Sequence, residues 1–143
     1  MKFPLAALSV SVLLSGCAGL GRIESYGSHL ADAKVHVDGK GYSIWVHQHE
    51  DTLLVQRSAG AAMGQSFVQG LTLNLVNMMD PKPYWKRAAA QMTDPVGCQV
   101  TDVYPLDSHS TWEAPYACPA GVDLRALINA QREDLRHGAP IHR

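Results

Sequence analysis

The chain has 143 residues, enough for one domain of ordinary size. Apolar residues make up 46% of it and charged residues 17%, which excludes an intrinsically disordered chain. Lys and Arg number 12 against 13 Asp and Glu, a formal charge of -1 with no basic run, so nucleic acid is not an expected partner.

The first segment reads as an address. Met1-Lys2 supplies a positive start, and Phe3 to Leu14 is an uncharged, largely apolar stretch. It is too short to span a bilayer, which takes about 20 residues. Its character is that of the h-region of a secretory signal. Leu14-Ser15-Gly16-Cys17 follows at once. These four residues resemble the lipobox of bacterial lipoproteins: an aliphatic residue, a small one, Gly or Ala, then Cys. The resemblance implies a diacylglycerol on the Cys17 thiol, cleavage just before it and acylation of the new amine. Two or more acyl chains anchor stably where one is marginal. Ala18 in place of Asp after the Cys implies sorting to the outer membrane. The expected organisation is a signal peptide over 1–16, a lipidated Cys and tether over 17–32, and one globular domain over 33–138. The expected location is the bacterial cell envelope, anchored to the lipid bilayer and facing the periplasm.

Ala33-Lys34-Val35-His36-Val37 alternates apolar and polar, as a half-buried strand does. Asp38-Gly39-Lys40-Gly41 is a hairpin signal. Tyr42 to Gln48 alternates again, with Tyr42, Ile44 and Val46 on one face and Trp45, His47 and His49 on the other. After Glu50-Asp51, Thr52 to Arg57 completes a three-stranded antiparallel meander. Ser58 to Met79 changes to a helical period, with Phe67, Val68, Leu71, Leu75 and Met78 on one face. The small residues Gly60 and Gly64 suit close packing of this helix on the sheet. Asp80-Pro81-Lys82-Pro83 ends it, and Tyr84 to Met92 predicts a short helix.

Once Cys17 is assigned to lipid, Cys98 and Cys118 remain as a pair, and an exported chain sits where disulfides persist. Gly97 to Tyr104 and Thr111 to Cys118 read as strands, with a turn at Asp107-Ser108-His109. A loop over 107–109 puts Cys98 opposite Cys118, Val100 opposite Tyr116 and Tyr104 opposite Trp112. Gln99, Thr101, Thr111 and Glu113 fall on the other face. Pro115 predicts an edge strand. The last helix is expected from about Asp123 to His137. Leu124, Leu127, Ile128 and Leu135 form its stripe, Arg125, Arg132 and Arg136 face water, and the chain frays after Gly138. Strands grouped apart from helices give an α+β fold: an antiparallel sheet with helices packed on one face, stapled by the disulfide.

Candidate chemistry is sparse. His47 and His49 are two apart on a strand, so both imidazoles could reach one divalent transition metal, with an oxygen from Glu50 or Asp51. His36 shares the polar face. A turn at Gly39-Lys40 would set it opposite Ser43, about 13 Å from His47 at strand rise, too far to close a coordination sphere. Asp107-Ser108-His109 holds the residue types of a hydrolytic triad, but neighbours in sequence do not fold back into triad geometry. Gly64-Gln65-Ser66-Phe67-Val68 lacks the final Gly of a nucleophile elbow. Trp45 beside the two imidazoles suggests a partner-binding patch. The expected function is therefore non-enzymatic: a membrane-anchored binding or assembly module for another envelope protein. The alternative is a periplasmic metal- or small-ligand-binding domain using His47 and His49.

Overall fold

The structure, a computed structural model, describes residues 22–27, 30–58, 80–106 and 111–143. The signal segment, Cys17, the helix expected up to Met79 and the turn expected at 107–109 lie outside the described residues. The described elements are β1 (Ala33–Val37), β2 (Lys40–Val46), β3 (Thr52–Arg57), α1 (Lys82–Thr93), a 3-10 turn (Asp94–Val96), β4 (Gln99–Val100), β5 (Tyr104–Pro105), β6 (Thr111–Ala117) and α2 (Leu124–Arg136). The fold is α+β. One curled antiparallel sheet runs in the order β1-β2-β3-β6-β4, and β5 also pairs with β6.

The expected meander forms, with its first turn one residue earlier. Asp38 and Gly39 both adopt positive φ, 51° and 77°. That is the signature of the two-residue hairpin turn whose twist matches that of the flanking strands. His36 therefore pairs with Gly41 instead of Ser43. The parity is unchanged, so Val35, Val37, Tyr42 and Ile44 still point into the core.

α1 begins two residues before the expected start. Pro83 sits in its first turn, where a missing N–H costs nothing. Its Trp85, Ala88, Ala89 and Met92 recur at helical spacing and are fully buried. Trp85 stacks on Trp112 at 5.5 Å and meets Tyr42 edge-on at 5.3 Å. α2 is capped by Asp123, whose side chain accepts from the Ala126 N–H at 2.9 Å. Leu124, Ile128 and Leu135 are buried and Leu127 half-buried, as its period predicts.

β6 is an interior strand. It pairs with β3 on one side and with β4 and β5 on the other, so the edge expected from Pro115 is corrected. The Tyr116 N–H donates to Asp51 on the β3 side, whereas the Pro115 carbonyl accepts from the Thr101 N–H on the other side. The N–H that Pro115 lacks would thus point toward residues 101–103, where the ladder between β4 and β5 is interrupted. One extra residue is accommodated there. Val100 faces Tyr116 as expected, but Tyr104 faces Glu113, not Trp112. A slip of one residue moves Tyr104 to the opposite face of the sheet.

Cys98 and Cys118 form a disulfide. The tail does not fray. Ile141 is buried, Arg143 Nε donates to the Val96 carbonyl at 2.8 Å, and Gln131 exchanges hydrogen bonds with His142. Nor do the α2 arginines simply face water. Arg132 Nε donates to buried Asp32 at 2.6 Å, and Arg136 Nε to the Ala31 carbonyl at 2.9 Å. Arg125 Nε donates to the His47 carbonyl at 2.8 Å. A helical stripe finds the apolar contacts, but a long guanidinium can reach carbonyls beyond it.

Candidate functional site

The sheet face opposite Trp85 carries a cross-strand row of Trp45, Leu54, Glu113 and Tyr104. Leu54 and Glu113 are buried there. A carboxylate in such surroundings needs donors. Residues 22–27 supply them. Arg22 Nε and the Tyr26 hydroxyl both donate to Glu113 Oε1 at 2.6 Å. The two remaining nitrogens of Arg22 take Glu50 in a fork, at 2.9 and 2.6 Å. One guanidinium thus ties the segment that follows Cys17 to both the sheet and the β2–β3 loop.

The protonation states follow from this packing. Hydrogen bonding to Glu50 drives the Arg22 pKa above its already high ordinary value. The same bond holds the Glu50 carboxyl below its usual range. Burial, reinforced by the hydrogen bond to Glu113, pushes the Tyr26 hydroxyl up. Burial and the nearby Glu113 charge do the same to Tyr104. The cluster is one guanidinium between two carboxylates, with two neutral phenols beside it. Its carboxylates are engaged in holding the fold together.

His47 is buried. Tyr26 packs edge-to-face against it, ring centroids 4.8 Å apart. Its Nδ1 accepts from the backbone N–H groups of His49 and Glu50, at 3.1 and 2.9 Å. Those two donors assign the neutral tautomer with its proton on Nε2. Nε2 is the one buried side-chain polar atom without a hydrogen-bond partner among the described residues. Burial lowers the His47 pKa from its ordinary 6.5. The unfolded chain then binds this proton more readily than the folded one. The stabilisation is complete above the unfolded value and is lost as pH falls below it through the depressed folded value. We expect the urea midpoint to drop as pH falls below about 6.5, and His47→Gln to flatten that slope; equal slopes in both proteins would refute the assignment.

The residues proposed from sequence come together only in part. His49 is exposed, and its ring centroid lies 6.5 Å from that of His47. His36 sits on β1, across from Gly41. Among the described residues no group of three or more His, Cys, Asp or Glu is placed to hold a metal ion. Ligation through His47 Nε2 would require moving its proton to Nδ1, at the expense of two backbone hydrogen bonds. Trp45 is half-buried and has an interaction partner within the chain. Sequence reasoning assigned no role to Arg22, Tyr26 or Glu113. The available signal was a single charged residue, Glu113, on the strand Thr111–Ala117.

A third buried carboxylate, Asp80, accepts from Lys40, from Arg57 and from the Tyr42 hydroxyl at 2.6 Å. Asp80 and Arg57 flank the segment 58–79, so one ion pair joins its two ends. Comparison with protein-family models, curated proteins and solved structures yields no match to this chain.

Proposed function

We propose that the chain is a lipid-anchored protein of the bacterial cell envelope whose folded domain is a non-enzymatic binding or assembly module for another envelope protein. The observation that carries this reading is the pairing of Leu14-Ser15-Gly16-Cys17 with an oxidised Cys98–Cys118 bond elsewhere in the chain. Disulfides persist in the periplasm and are rare in the cytosol, so both features point to export. The polar clusters support the non-enzymatic part. Glu113 and Asp80 each meet at least two donors from within the chain, and Asp32 meets Arg132 and the Val46 N–H. Carboxylates committed in this way hold the fold and do not wait for a substrate proton. Outer-membrane sorting rests on Ala18 alone. A metal-binding domain built on His47 and His49 gains no support from the buried, doubly bonded His47.

The test uses cells fed an alkyne fatty acid, followed by cross-linking and affinity capture of the wild type and Cys17→Ser. We expect label on the wild type only, release of the variant from the membrane fraction, and one envelope protein recovered in near-stoichiometric amount with the wild type. An unlabelled wild type overturns the anchor. A labelled protein captured alone overturns the binding or assembly role.

A further inference from the structure

Few large apolar side chains are left exposed among the described residues. They are Ile23, Leu30 and Tyr104, exposed by 38%, 77% and 40%. Ile23 and Leu30 belong to the N-terminal segment. Tyr104 stands opposite Glu113, the residue that Arg22 and Tyr26 grip. Ile23, next to Arg22, and Tyr104 therefore lie on or beside the segment that Glu113 holds, whereas the Leu30 carbonyl accepts from Arg136 of α2.

The second observation is one of reach. Five peptide steps separate Cys17 from Arg22. Fully extended, they span at most about 18 Å. Arg22 is fixed to the domain by Glu113 and Glu50, so the tether expected over 17–32 effectively ends at residue 22. A folded chain of this size is roughly 35 Å across. A tether of half that length cannot let the domain turn its far side to the membrane.

We propose that the face carrying Ile23 and Tyr104 rests on the phospholipid surface that holds the Cys17 acyl chains. This inference rests on the reading of Cys17 as the lipidated residue. The chemistry suits an interface: an aliphatic side chain enters the acyl boundary, and a tyrosine keeps its ring there with its hydroxyl among polar groups. The apolar area is small, and alone it would bind a bilayer weakly. The anchor makes the contact intramolecular, so a weak patch suffices to set orientation. The opposite end of the domain, including the Asp38-Gly39 turn and Arg87 bound to it, then points away from the membrane. The seven residues of β2 separate that turn from the β2–β3 loop that Arg22 grips, about 23 Å at strand rise.

The test uses the full-length acylated protein, purified from cells and reconstituted into vesicles of phosphatidylcholine and phosphatidylglycerol with brominated acyl chains. Three single variants, Ile23→Trp, Tyr104→Trp and Arg87→Trp, are compared by fluorescence quenching after subtraction of the wild-type signal. Mass spectrometry of the N-terminal peptide measures acylation in the same samples. We expect at least about twofold stronger quenching for Ile23→Trp and Tyr104→Trp than for Arg87→Trp. Acylated protein with equal quenching at the three positions overturns the orientation and leaves the anchor standing. Absence of acyl mass on Cys17 overturns the anchor, and the orientation with it. Two reporters on separate elements keep the result readable if one substitution disturbs its surroundings.

Discussion

Asp80→Ala is expected to cost about 3 kcal/mol, which at this chain length lowers the thermal midpoint by roughly 10 °C. The carboxylate is buried, and it sits between two cations, Lys40 and Arg57, that are only partly exposed. Removing it leaves like charges facing each other and strands the Tyr42 hydroxyl. Lys40 and Arg57 keep some access to water, which is why the expected cost is at the lower end for breaking a buried pair. Asp80→Asn retains an acceptor without the charge and should fall between the two. Burial alone would raise the Asp80 pKa, but hydrogen bonds from Lys40, Tyr42 and Arg57 outweigh it and hold the carboxyl below its ordinary 3.8. Its contribution is therefore complete above about 3.8 and is lost as pH falls through the lower folded value. The gap between wild type and Asp80→Ala should narrow on acidification. Chemical denaturation at neutral and at acid pH measures both effects, and a gap that is small at neutral pH would show that the ion pairs are not what holds Asp80.

The disulfide is the second large term. Cys98→Ala with Cys118→Ala should destabilise the domain by about 3 kcal/mol, the chain-entropy value for a closed loop of this size. The structure adds a local reason. β4 contributes only two residues to the sheet, and the pairing next to it is interrupted before β5. A strand that short depends on the covalent link to keep its register. Reduction of the wild type should lower its thermal midpoint toward that of the double variant, and the variant should not respond to reductant. A wild type indifferent to reductant would contradict this.

Much of the domain was legible one element at a time. The alternation from Ala33 to Arg57 predicts three strands, and the stripe from Leu124 to Leu135 predicts α2. Period and turn chemistry are local properties, and each chain segment carries its own copy. The Cys98–Cys118 pairing followed from elimination once Cys17 was assigned to lipid, and the hairpin register agreed with it. That register failed six residues later at Tyr104. The ladder opens beside Pro115, and the extra residue absorbed there cannot be counted without knowing which neighbour Pro115 faces. The edge position predicted for that strand failed for the same reason: an interior strand can carry a proline where its missing N–H meets a gap.

The candidate site was barely visible. Trp45, His47 and His49 were chosen for residue type and strand parity, and parity does place Trp45 in the row with Glu113. Nothing local shows that Arg22 would reach a glutamate 91 residues away, or that Tyr26 would bury His47. By itself, the sequence determined the periods and apolar faces of the β1–β3 meander and of α2, the disulfide pair and the lipobox-like start. Those are signals of neighbours in the chain. The tertiary structure alone decided the order of strands, the place of Pro115, and the partners of Glu113, Asp80 and Asp32. A buried charge is stable only beside its counter-charge, and which cation arrives is settled by how distant segments pack.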